Sequence, residues 1–190
     1  MIILIIGLCI FLGLHSFRIV SDAGRSAAIH RLGEARFKGT YSVLSLIGLV
    51  LLVYGYGQAR MGQSQLYEPV AGLRHLALIL VPLSFILVAS SYAPVGRIKA
   101  WVRHPMVLGV ALWALGHLLA NGGMADVVLY GAFFMWAAVD YVNSLGRPVP
   151  VLATAPRLTG DLVAIAIGLV LSIAFIAGLH LWFFGVSPIG

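Results

Sequence analysis

Residues 105–142 read PMVLGVALWALGHLLANGGMADVVLYGAFFMWAAVDYV, two apolar runs joined by Asn121-Gly122-Gly123. A membrane-crossing helix needs about 20 mostly apolar residues, and a helix keeps its own backbone N–H and C=O groups paired where lipid offers no partner. The runs at 105–121 and 124–142 meet that length, and the glycine turn between them predicts an antiparallel helical hairpin. Working outward, similar runs occur at 1–20, 40–57, 73–94 and 161–184. The expectation is an all-α polytopic membrane protein, a bundle of about six transmembrane helices in a single transmembrane domain over 1–190. The first run starts at Met1 without a basic leader and continues into Leu14-His15-Ser16-Phe17-Arg18, so it reads as a retained helix and not a cleaved signal.

The composition agrees. The 190 residues are 61% hydrophobic and 9% charged, against roughly 45–50% and about 25% in a soluble domain. That excludes disorder, a collagen-like repeat, a disulfide scaffold and a water-soluble enzyme. Cys9 is the single cysteine, so no intramolecular disulfide forms. The 12 Lys+Arg and 6 Asp+Glu leave a net charge of +6, which in so apolar a chain marks the edges of membrane helices and not a nucleic-acid surface. Loops after the first, third and fifth spans hold Arg18, Arg25, Arg31, Arg36, Lys38, Arg97, Lys99, Arg103, Arg147 and Arg157; the opposite side holds Arg60 and Arg74. The positive-inside rule makes the richer side cytoplasmic and both termini periplasmic. Residues 21–39 read as a cytoplasmic interfacial helix with Ile29, Leu32 and Phe37 against lipid, 57–72 as the largest external loop, and 145–160 as a Gly/Pro-rich link.

Ionisable groups are costly in lipid, so those that persist there face the bundle interior or a cavity. His117, preceded by Gly116, lies about 20 Å of helix beyond His104. It reads either as an interhelical hydrogen-bonding residue or as a metal or haem ligand. His104, in Arg103-His104-Pro105 at the start of its span, stands about 140° around the helix from His117 and reads as a cap, an interface residue or a second site. His15 shares a helical face with Arg18, Ile19 and Asp22; Arg18 either pairs with Asp22 or holds a carboxylate, and otherwise it snorkels above a packed His15.

Bis-imidazole ligation of haem iron needs two inward-pointing histidines on different helices, and His15 with His117 form the most economical pair. Asp140 aligns with Trp136, Asn143 and Arg147, either as an ion pair with Arg147 or as a ledge that orients a cofactor propionate or donates a proton. His75 and His180 read as membrane-interface residues, and His30 as solvated. Trp113, Phe133, Phe134 and Trp136 read as packing or lipid-facing residues, with the lining of an apolar pocket as the sharper alternative. No phosphate loop, nucleophile elbow, HExxH or CxxC motif is present.

The segments GLHSFRIV, HRLGEARFKGTYSVLSLIGLVLLVYGYGQAR and WVRHPMVLGVALWALGHLLANG, in that order and spanning about 7–147, resemble the NnrU family of bacterial integral membrane proteins. That family is similar to the ζ-carotene isomerase of plants and cyanobacteria, a membrane enzyme that uses haem b to isomerise a cis double bond when the iron is reduced and an axial ligand is released. The resemblance implies a multi-pass protein of the bacterial inner membrane with haem b as cofactor. It implies His15 and His117 as iron ligands, His104 in the shared Arg-His-Pro element, and an apolar small molecule as substrate beside membrane lipid as partner. The family name further implies a link to denitrification, through nitrite and nitric oxide reductase. Leu112 to Gly116 contain no cysteine, so the isomerase's thiolate exchange is not carried over. The stretch from Tyr141 to Arg147 also carries less charge than its counterpart there. Two other readings stand beside this one. The Arg-His-Pro element is also similar to that of small membrane methyltransferases, although no Glu-Glu pair follows Asp140. In the other, the chain is an assembly or accessory protein without cofactor, whose histidines only join helices.

Overall fold

The computed structural model describes residues 1–147 and 154–189. It is all-helical, 81% helix with no strand among the described residues. Among the described residues, four helices are long and apolar enough to cross a membrane: Glu34–Ala59, Gly72–Tyr92, Met124–Leu145 and Leu158–Phe184. The runs expected as first and fourth spans form shorter apolar helices, Ile2–His15 and Pro105–Ala120. The chain divides into two compact units, Met1–Glu68 with Gly122–Trp136, and Pro69–Asn121 with Ala137–Gly190.

In the first unit, α1 (Ile2–His15) packs along α4 (Glu34–Ala59). Glycines set the approach: a Cβ on Gly7 would run into the Leu52 backbone nitrogen, and one on Gly55 into that of Leu4. Lipid supplies no hydrophobic drive between helices, so small residues that admit close backbone packing do this work. Leu4 is fully buried in the seam, while Val43, Leu46, Val50 and Val53 stay exposed on one stripe of α4. Such a stripe suits lipid.

Helix α1 is shorter than the run 1–20, and side chains add bonds to its last carbonyls: His15 Nδ1 bonds the Phe11 carbonyl at 2.7 Å and Ser16 Oγ the Leu12 carbonyl at 2.7 Å. A short α2 (Phe17–Val20) follows. The expected interfacial helix over 21–39 is divided. α3 (Asp22–Leu32) is capped by Ser21 Oγ, which accepts from the Gly24 N–H at 2.9 Å, and ends at Gly33 with φ +79°. Phe37 and Lys38 belong to α4, which begins at Glu34 where the run suggested 40.

In the second unit, α5 (Ala71–Tyr92) packs against both α7 (Pro105–Ala120) and α9 (Leu158–Ala174). Gly168 sits so close to α5 that a Cβ there would meet Ile86 Cα at 2.6 Å. A short α6 (Arg97–Val102) precedes α7, whose first residue Pro105 gives up only an N–H that has no helical partner. Asn121 ends α7 and donates from Nδ2 to the His117 carbonyl at 2.9 Å. After α9 the helix is kinked within Phe175–Leu179, where Gly178 leaves helical geometry at φ 168°, ψ −25°, and it resumes as α10 (His180–Phe184). α8 (Met124–Leu145) contributes residues up to Trp136 to the first unit and the remainder to the second. Of the expected link over 145–160, residues 148–153 lie outside the described residues.

Candidate functional site: anchored histidines in aromatic surroundings

His15 lies in the first unit at the end of α1. Its ring centroid is 4.3 Å from that of Phe11, 5.5 Å from Tyr41 and 6.1 Å from Trp136, the last edge-on at 90°. A carbonyl oxygen only accepts, so the 2.7 Å contact to the Phe11 carbonyl puts the proton on Nδ1 and the lone pair on Nε2. Metal-binding histidines are oriented in this way. Beside the ring, the Trp136 indole Nε1 is buried with no hydrogen-bond partner, as is Ser45 Oγ. A buried unpaired N–H is unfavourable by about 1–3 kcal/mol, and a carboxylate-bearing ligand next to His15 would satisfy it. The donor set here therefore fits a haem: an imidazole with its lone pair on Nε2, flat aromatic neighbours, and an N–H for a propionate.

His117 lies in the second unit, one turn from the end of α7, and repeats the arrangement. Its Nδ1 donates to the Trp113 carbonyl at 2.8 Å, and the Trp113 ring stands 5.0 Å away. His180 of α10 is another aromatic neighbour, with centroids 6.5 Å apart and planes 22° from parallel. The interface role expected for His180 thus omitted a close contact.

Arg103-His104-Pro105 forms an unusual backbone. The His104 N–H donates to the Val102 carbonyl at 2.7 Å, and Arg103 adopts φ +62°, ψ −48°. An i to i+2 bond around such a residue is a γ-turn of the strained kind. Tyr141 braces it by donating to the Val102 carbonyl at 3.2 Å, and at the other end of α6 the carboxylate of Asp161 accepts the N–H groups of Arg97 and Ile98 at 3.0 and 2.9 Å. His104 therefore sits at the entry to α7 as a residue of a fixed turn.

The remaining expected residues are placed less distinctively. Arg18 stands 3.6 Å from Asp22 with both side chains exposed, a pair that contributes little in water. Asp140 lies 3.8 Å from the Arg147 guanidinium and accepts from Ser144 Oγ at 3.3 Å. His30 and His75 are exposed.

Two buried acids carry structure that the sequence reading overlooked. Asp126, in the first turn of α8, accepts from the Tyr56 hydroxyl at 2.6 Å and from Gln63 Nε2 at 2.9 Å, while Gln63 Oε1 accepts the Ala125 N–H at 2.8 Å. This cluster pins the loop after α4 to the start of α8, aided by the Leu66 N–H bonding the Gly122 carbonyl at 2.8 Å. Asp161 does the same for the start of α6. The available signal was that an acid at the threshold of an apolar run must find partners.

No group of three or more His, Cys, Asp or Glu side chains converges among the described residues; axial ligation of haem requires only one or two imidazoles. No curated protein and no solved structure shows a significant match to the chain. The family model described as NnrU protein matches residues 3–188, reaching past the quoted segments to include the last long helix. The all-helical apolar architecture is that of a membrane protein, and by this near-complete match the chain belongs to the NnrU family.

Proposed function

We propose that this chain is a haem b-binding protein of the bacterial inner membrane, with histidine on the iron. The observation that carries the reading is the shared anchoring of His15 and His117: each gives its Nδ1–H to the carbonyl four residues earlier, so that Nε2 is the lone-pair nitrogen. Haem b held at such a nitrogen supplies a redox-active iron whose ligation depends on oxidation state. The protein's own part is positional. The carbonyl bonds fix tautomer and ring orientation and raise the basicity of the ligating nitrogen. Phe11, Tyr41 and Trp136 around His15, and Trp113 beside His117, exclude water and suit a flat macrocycle. The Trp136 N–H is suited to donate to a propionate. The chemistry extends by family resemblance to redox-gated isomerisation of an apolar substrate, or to an accessory role beside the enzymes of denitrification.

The test is the absorption of protein purified in detergent after expression with ample haem supply. A Soret band that shifts on dithionite reduction, with resolved α and β bands, is expected, and His117→Ala is expected to lose most of the bound haem. A colourless wild-type protein overturns the proposal; full haem retention by His117→Ala removes that residue from the ligand set.

A further inference from the structure

We propose that the end of the second unit where α5 stops and α7 and α9 begin is a docking site for an anionic phospholipid, held by Arg97, Arg103 and Arg157 beside Trp101. α6 is only six residues long, yet it is fastened to three neighbours. Asp161 of α9 accepts the N–H groups of Arg97 and Ile98, Lys99 Nζ donates to the Ser91 carbonyl of α5 at 2.8 Å, and Tyr141 of α8 donates to the Val102 carbonyl. The Arg157 N–H donates to the Val95 carbonyl at 2.9 Å, which brings the threshold of α9 beside the entry to α6. These bonds fix the backbone that carries the three arginines, so less ordering entropy opposes a ligand.

The surface presented there is basic and apolar at once. Arg97 and Trp101 lie one helical turn apart on α6. Arg97, Arg103 and Arg157 are exposed, and Trp101 is 87% exposed, with Tyr92 at the end of α5 and Leu158 at the start of α9 exposed as well. None of the three arginines joins an ion pair among the described residues. The acids of this unit, Asp140 and Asp161, are already engaged: Asp140 stands by Arg147, and the buried Asp161 holds the two N–H groups of α6. Guanidinium groups bind phosphate oxygens in a planar, two-point fashion, and tryptophan and tyrosine favour the depth of lipid headgroups. A zwitterionic lipid brings its own cation to balance its phosphate, so uncompensated arginines select a lipid with net negative charge. Their place at the ends of the long apolar helices Gly72–Tyr92 and Leu158–Phe184 puts them at headgroup level. The exposed apolar side chains beside them suit the glycerol and acyl part, which a soluble anion lacks.

The experiment uses full-length protein in phosphatidylcholine vesicles that contain a minor share of phosphatidylglycerol, with bromine on the acyl chains of one lipid at a time as a quencher. The fluorescence lost in Trp101→Phe reports Trp101. Brominated phosphatidylglycerol is expected to quench Trp101 beyond its share of the bilayer. Each arginine at a bilayer surface raises such a preference about fivefold, so Arg157→Gln should lower it about fivefold and Arg97→Gln combined with Arg103→Gln about 25-fold. Arg74→Gln, which removes an equal charge at the opposite end of α5, is expected to leave it unchanged. Circular dichroism verifies folding, and Arg157→Gln, a change in one exposed side chain, decides the matter if the paired variant misfolds. Quenching in proportion to bilayer share overturns the proposal, even if the face takes up an acidic protein or a nucleic acid. So does a preference that survives the arginine substitutions, or one that falls equally in Arg74→Gln.

Discussion

Replacing Asp161 with alanine should destabilise the second unit by about 3 kcal/mol. Asp161 is 6% exposed, and its carboxylate accepts two backbone N–H groups, of Arg97 at 3.0 Å and Ile98 at 2.9 Å. Hydrogen bonds to a charged acceptor contribute roughly 1.5–3 kcal/mol each, and truncation leaves both donors without their acceptor. Near a membrane the lower end of that range applies, because the unfolded state finds partners of its own. An asparagine side chain would keep one acceptor and present an N–H where the second was, so Asp161→Asn should lose about half as much. Gly96 offers an internal control: a Cβ there would collide with Asp161 Oδ1, so Gly96→Ala breaks the same contact. The two alanine substitutions should therefore be clearly less than additive. The assay is reversible unfolding of purified protein in mixed micelles by added SDS, followed by tryptophan fluorescence. A loss below about 0.5 kcal/mol for Asp161→Ala, or strict additivity with Gly96→Ala, would refute the reasoning.

Other substitutions probe the remaining features. Arg103→Gly removes a side chain from a backbone at φ +62° and should raise stability by about 1 kcal/mol in the same unfolding assay. Gly55→Leu forces a side chain into the Leu4 backbone of α1; it should separate α1 from α4, seen as new protease sensitivity in the first unit. Tyr56→Phe deletes the 2.6 Å bond to Asp126 and should destabilise by about 1 kcal/mol, since Gln63 still pairs with the acid. Arg18→Ala, which removes only an exposed pair with Asp22, should stay within about 0.5 kcal/mol of wild type.

The helices were legible because lipid imposes a length and a composition on anything that crosses it, and the apolar runs carry both. Their ends were not. α1 stops at His15 inside the apolar run, and α4 starts before its own, with Glu34 to Gly39 already helical. The histidines stood out by their cost in an apolar environment, and the ion pair of Asp140 with Arg147 was readable from helical spacing. Asp126 and Asp161 did not stand out at the edges of their loops, since their partners are Gln63, Tyr56 and main-chain N–H groups distant in sequence. The strained turn at Arg103 leaves no mark on residue type. The position of His180 could not be projected from α9, because the helix is kinked between them, with Gly178 at φ 168°, ψ −25°.

The most direct test of the central claim is the reduced-minus-oxidised absorption spectrum of the purified full-length protein. Haem b on anchored histidine predicts a shifted Soret maximum with distinct α and β bands, at close to one haem per chain by pyridine haemochrome. A protein that remains colourless under saturating haem supply contradicts the account.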